Sequence, residues 1–154
     1  MLPTPNCYSL VSAAAEGDKE LTAFDRALLK AGVGNVNLIR VSSILPPRAE
    51  YIPKLEIPAG SLLPIAYGSM TSCESGKLIA AAVAVGIGDE FGVIMEFSGS
   101  CSSSEAEREV TQMVKEAFSY RNMTLREIKV ASVEHRVVHC GCVFAAVPLW
   151  YKNK

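Results

Sequence analysis

No apolar run in the sequence is long enough to cross a bilayer. The longest, Leu78 to Ile87 (LIAAAVAVGI), falls short of the roughly 20 residues a membrane helix needs. There is no surplus of one charge either. Fifteen Lys and Arg stand against sixteen Asp and Glu, a formal net charge of -1. That balance supplies no basic field for a nucleic-acid backbone or an anionic membrane. The first residues, MLPTPNCYSL, hold no basic region followed by an apolar core, so no secretory leader is expected. Common nucleotide and hydrolase signatures are also missing. Neither G-x-x-x-x-G-K-[ST] nor G-x-S-x-G occurs, and Gly32-Val33-Gly34 follows a helical pattern rather than opening one.

What is present is enough apolar material for one core. The chain has 154 residues, 49% of them hydrophobic and 20% charged, with a mean hydropathy of +0.23. These values exclude disorder and fit one domain spanning 1–154 that needs no metal or disulfide to fold. The apolar fraction points to a buried subunit interface. Five cysteines, an odd number without a leader, read as reduced thiols in a cytoplasmic protein.

Hydrophobic spacing outlines the elements. Residues 9–14 suit a short first strand. A helix follows, with Thr22 as candidate N-cap, Ala23, Phe24, Ala27, Leu28 and Ala31 at helical spacing, and Gly32 at its end. Gly34-Asn35 marks a turn, and 36–41 is aliphatic enough for a strand. Five of the eight prolines fall in 44–64, which excludes a helix there. Strands are expected over 62–70, 77–85 and 91–97, with Gly86, Gly88 and Asp89 as the turn between the last two. A second helix spans about 104–120, with Ser104 and Glu107 as a capping box. Strands over 126–137 and 142–150 complete a single α+β domain of largely antiparallel sheet covered by helices.

Few residues announce chemistry on their own. His139-Cys140-Gly141-Cys142 gathers soft ligands, but C-x-C without a partner pair is a weak zinc signal, and small buried strand residues are the simpler reading. Glu134 and His135 are strand neighbours and point to opposite faces. Glu96 sits between Met95 and Phe97. Inward, desolvation would raise its pKa and make it a proton donor; outward, which alternation alone favours, it is an ordinary carboxylate. Ser42-Ser43 ends a strand before the proline-rich segment, and composition gives it no function. A strained bend there could support an N-to-O acyl shift.

The stretch Gly34-Asn35-Val36-Asn37-Leu38-Ile39-Arg40-Val41-Ser42-Ser43-Ile44-Leu45-Pro46-Pro47 closely resembles the self-cleavage region of pyruvoyl-dependent arginine decarboxylases. The likeness continues in order through Leu21-Thr22-Ala23-Phe24-Asp25, Ala66-Tyr67-Gly68, Gly92-Val93-Ile94-Met95-Glu96-Phe97, Val133-Glu134-His135, Gly141-Cys142-Val143-Phe144-Ala145-Ala146 and Leu149-Trp150-Tyr151-Lys152. The resemblance implies autocatalytic cleavage between Ser42 and Ser43 into a β chain, 1–42, and an α chain, 43–154. It implies a pyruvoyl group made from Ser43, in place of pyridoxal phosphate and with no metal. That group would form a Schiff base with an amino acid and act as electron sink for carboxylate loss.

Residue roles follow the same resemblance. Asn37 matches the asparagine expected to polarise the scissile carbonyl or place the pyruvoyl group. Glu96 matches the acid expected to protonate the carbon that loses CO2, which reverses the outward reading. Asp25 matches the aspartate expected to pair with the substrate guanidinium, where a carboxylate can take a two-pronged fork. Leu21, Leu28 and Val36, with Ser42, would line the substrate site. Arg26 beside Asp25 puts a cation near it. The family's trimer of αβ units, with sites between subunits, and its sandwich of sheets with outer helices are implied as well. The implied reaction converts L-arginine to agmatine and CO2. The alternatives are a pyruvoyl decarboxylase of another amino acid such as histidine, or an unprocessed paralogue acting as a trimeric binding partner.

Overall fold

The protein is described by a computed structural model over residues 2–153. In chain order its elements are β1 (Cys7–Tyr8), β2 (Val11–Gly17), α1 (Glu20–Ala31), β3 (Asn37–Arg40), β4 (Ile44–Leu45), β5 (Glu50–Tyr51), β6 (Leu62–Ser72), β7 (Leu78–Ile87), β8 (Gly92–Gly99), α2 (Ser103–Tyr120), β9 (Glu127–Arg136) and β10 (Cys140–Trp150). One sheet has the order β3-β6-β10-β1-β5, with β2 also paired to β10; the other has the order β4-β8-β7-β9. Pairing is antiparallel except for β3 on β6 and β1 on β5.

Side-chain alternation assigns the layers. On β10, Val143, Ala145, Val147 and Leu149 face the second sheet, while Cys142, Phe144 and Ala146 face α1. On β7, Ile79, Ala81, Val83 and Val85 join the core between the sheets. Its intervening Ala80, Ala82 and Ala84 meet Val110, Val114 and Phe118 of α2. The result is four layers: α1, sheet, sheet, α2. Both strands are covered on both faces, which is why Leu78–Ile87 reads as one apolar run. No helix among the described residues is long and apolar enough to cross a membrane.

The helix starts depart from the sequence expectation. Lys19, not Thr22, is the N-cap of α1; Thr22 lies inside the first turn, where its hydroxyl accepts the Lys19 N–H at 3.0 Å. Gly32 closes α1 at φ 85°, a left-handed position that glycine takes without cost. The serine run before α2 offers the capping spacing twice, Ser102 to Glu105 and Ser104 to Glu107. The earlier pair is used: Ser102 Oγ accepts the Glu105 N–H at 3.2 Å. Glu134 decides between them, because its Oε1 accepts both the N–H and the hydroxyl of Ser103 at 3.0 Å.

Gly86 is in the strand, not the turn. A Cβ at Gly86 would lie 2.4 Å from Val114 Cγ1 and 2.6 Å from Phe118 Cε1, so glycine here lets α2 seat on β7. The reading of all five cysteines as thiols is corrected. Cys73 and Cys140 form a disulfide, their Cα atoms 4.0 Å apart. The register brings this about: Gly141 pairs with Ser72 where β10 and β6 run antiparallel, so the residues just beyond meet. Cys7, Cys101 and Cys142 remain free.

Candidate active site

β3 is an edge strand that leaves its sheet early. Arg40 pairs with Ile65, and the Val41 N–H donates to the Ile65 carbonyl at 3.0 Å. The chain then bends at Ser43 and enters the other sheet as β4, where Ile44 pairs with Val93. The Ser42–Ser43 bond is therefore the crossing between sheets. Ser42 is exposed and Ser43 half-buried. The Ser43 carbonyl accepts the Ile94 N–H at 2.7 Å, which anchors the crossing to β8. Left-handed backbone outside glycine occurs, among the described residues, at Arg48 and Asn122, so the bend at Ser43 carries no strain of that kind.

Glu96 stands on the same strand as Ile94. It pairs with Val83, and both face inward between the sheets, which overturns the outward alternative. Its side chain is 26% exposed. Burial raises its carboxyl above the ordinary glutamate range, and the Arg40 cation pulls in the opposite direction. Arg40 Nη2 lies 3.9 Å from Glu96 Oε1. A carboxyl poised this way holds a proton at a higher pH than a solvated one.

The other sequence candidates lie apart from this pair within one chain. Asp25 is exposed on the solvent side of α1, in the outer layer. Arg26 does not compete with it: its Nη1 donates to the Glu16 carbonyl at 2.8 Å. Asn37 is exposed at the far end of β3, where its Nδ2 donates to the Gly60 carbonyl at 3.2 Å. Asn37 is four positions before Val41, about 13 Å at the usual strand rise. Leu21 is exposed, Val36 is half-buried, and Leu28 is packed into the core under α1.

The pair Glu134 and His135 has structural work. Glu134 caps α2, and His135 Nε2 meets Glu16 Oε2 at 2.5 Å. Desolvation works to raise the Glu16 carboxyl, but hydrogen bonds from His135 and from the His139 and Val138 N–H groups outweigh it and hold it at about 2. Sequence reasoning gave no role to Arg40 or Tyr67. An arginine in an aliphatic edge strand carries no local signal; only the geometry at Ser43 singles it out.

The structure thus brings together a main-chain crossing between two sheets at Ser42–Ser43 and, two residues along β8 from its Ile94 anchor, a half-buried carboxyl. A family model described as pyruvoyl-dependent arginine decarboxylase matches residues 7–154. The chain is similar to the pyruvoyl-dependent arginine decarboxylase of Methanocaldococcus jannaschii, 50% identical over 151 residues that cover 96% of this chain and 92% of that one. The protein of that name from Methanococcus maripaludis is 45% identical over the same shares, and that from Pyrococcus furiosus 47% identical over 85% of each chain. The chain belongs to the pyruvoyl-dependent arginine decarboxylase family.

Proposed function

We propose that this protein decarboxylates L-arginine to agmatine and CO2, using a pyruvoyl group that it makes from its own Ser43. The observation that carries the reading is the Ser42–Ser43 crossing anchored to β8 beside an inward, desolvated Glu96. The residues present suit the group: a serine supplies its carbon skeleton, and the Ile94 N–H holds the adjoining carbonyl.

Formation of the group needs only this chain and water. The Ser43 hydroxyl adds to the Ser42 carbonyl, and the amide C–N bond breaks to leave an ester and a free amine. Loss of the Ser43 α-proton then expels Ser42 as a carboxylate and leaves a dehydroalanine. Water adds and ammonia departs, giving chains 1–42 and 43–154. The Asn37 amide polarises the carbonyl under attack or places the new group.

When formed, the pyruvoyl carbonyl supplies the electron sink that carboxylate loss requires. Glu96, whose burial favours the protonated form, gives a proton to the substrate α-carbon once CO2 has left. One proton is consumed per turnover. Asp25 takes the guanidinium in a two-pronged ion pair, with Leu21, Leu28 and Val36 along the aliphatic part and Ser42 at the reacting end.

Asp25 and Asn37 reach Ser43 across subunits in this reading, in a trimer of αβ units. Supporting it, Ile39, Ile44 and Leu62 are exposed apolar residues that line, with Val41, Pro46 and Pro64, a cavity of about 280 Å³ flanking the serine pair. A second copy on that face would cover apolar surface a monomer leaves in water. Incubation with L-arginine should release CO2 and agmatine in equal amounts. Turnover of histidine but not arginine would overturn the substrate, and no turnover of either would overturn the reaction.

A further inference from the structure

The chain leaves β3 after Arg40 and bends at Ser43, which leaves the edge of β6 open beyond Ile65. Val41, just past β3, is the last main-chain donor to that edge, at the Ile65 carbonyl. The next carbonyl pointing the same way belongs to Tyr67. Arg40 takes the vacant place: its Nη2 donates to the Tyr67 carbonyl at 2.7 Å, and its guanidinium lies 4.3 Å from the centre of the Tyr67 ring. The same nitrogen faces Glu96 at 3.9 Å. Close approach of the sheets allows this. A Cβ at Gly68 would meet the Phe97 carbonyl at 3.1 Å, so β6 presses on β8 directly beside Glu96. Tyr67 is itself held in an aromatic group, 5.3 Å from Phe144 and 6.3 Å from Phe24, between ring centres.

We propose that Arg40 is a positioning residue for the proton donor: pinned along the edge of β6 by Tyr67, it fixes the Glu96 carboxyl at the crossing where Ser43 sits. The inference rests on the reading of Glu96 as the group that protonates the substrate. Arg40 belongs to 1–42 and Glu96 to 43–154, so after cleavage this contact spans two chains. Against Glu96 stand Arg40 at the end of β3, Val83 on β7, and β6 where Gly68 approaches the Phe97 backbone. Arg40 is the charged one among them until cleavage adds the Ser42 carboxylate. A lysine replaces it only in part, because an ammonium on a flexible stem lacks the planar guanidinium that lies over the Tyr67 ring while its Nη2 meets the Tyr67 carbonyl and faces Glu96.

The test compares R40M, R40K and E96Q with the parent enzyme, all as assembled, processed protein. Each is assayed for chain cleavage, kcat and KM for arginine, and the pH dependence of both. R40M should cleave normally, keep KM within about twofold and lose about tenfold or more in kcat. Without the cation the carboxyl holds its proton to higher pH, so the limb on which activity falls with rising pH should move up by about one pH unit. R40K should return the limb toward the parent position while recovering only part of kcat. Processed R40M with parent-like kcat and an unmoved limb would overturn the proposal. So would a loss confined to KM, or failure of both Arg40 variants to cleave. Normal turnover by E96Q would instead remove Glu96 from its role, a result separable from any of these.

Discussion

The Ser43 carbonyl accepts the Ile94 main-chain N–H at 2.7 Å, and this bond sets the register between the serine crossing and the strand that carries Glu96. Ile94 and Glu96 share a face of β8, both turned into the space between the sheets. One backbone contact thus fixes where the Ser42–Ser43 peptide stands relative to the Glu96 carboxyl. The site is a product of sheet pairing, and its parts respond separately to substitution.

Glu96→Gln removes the proton and keeps the shape. Chain cleavage should proceed, because the acyl shift uses Ser43, while decarboxylation should fall by about 10²-fold or more. Gel analysis and a CO2 assay on one preparation report both. Parent-like CO2 release would contradict the assignment.

Asp25→Asn should also leave cleavage intact. Asp25 is exposed and has no ion-pair partner among the described residues, so little stability rests on it. KM for arginine should rise about ten- to a hundredfold, the loss expected for one charged hydrogen-bond partner. Unchanged KM would place the guanidinium elsewhere.

Glu16 gives the fold a pH dependence. Its carboxyl is held at about 2 against an ordinary value of 4.5, so the charged form is the one the folded state favours. Its contribution is present in full above pH 4.5 and is lost as pH falls toward 2. Partial exposure limits it to about 1–3 kcal/mol at neutral pH. Glu16→Gln should lower the melting temperature at pH 7, and the gap from the parent should narrow steadily below pH 4. A constant gap across that range would contradict the assignment.

Gly86→Ala tests the seating of α2 on β7. The new methyl would meet Val114 and Phe118 well inside van der Waals contact. Destabilisation of about 1–3 kcal/mol is expected, read in denaturant unfolding, with the processed chains otherwise unaltered. A neutral effect would mean that the helix adjusts freely.

Much of the fold was legible because strands covered on both faces write themselves as apolar runs, as at Leu78–Ile87 and Cys142–Trp150. Both helices were visible from spacing. Their starts were not, because the Ser102–Ser104 run offers two equivalent caps and Glu134, more than thirty positions on, selects one. Gly86 looked like a turn because its reason for being small lies on another element. The Cys73–Cys140 bond depends on the register of β6 with β10, which no spacing encodes. The orientation of Glu96 was misread by alternation alone, since its inward face is set by pairing with Val83 and by the close approach of Gly68. Ser42 and Ser43 acquired meaning only through resemblance. Arg40 had none until the open edge at Tyr67 was seen.

The central claim is that the folded chain severs itself at Ser42–Ser43, and intact mass under denaturing conditions measures this directly. The parent protein should yield two species, residues 1–42 and residues 43–154, the second blocked at its N-terminus by a keto-acyl group in place of the serine amine. Ser43→Ala should yield one full-length chain. A parent preparation that remains one chain through prolonged incubation would contradict the account.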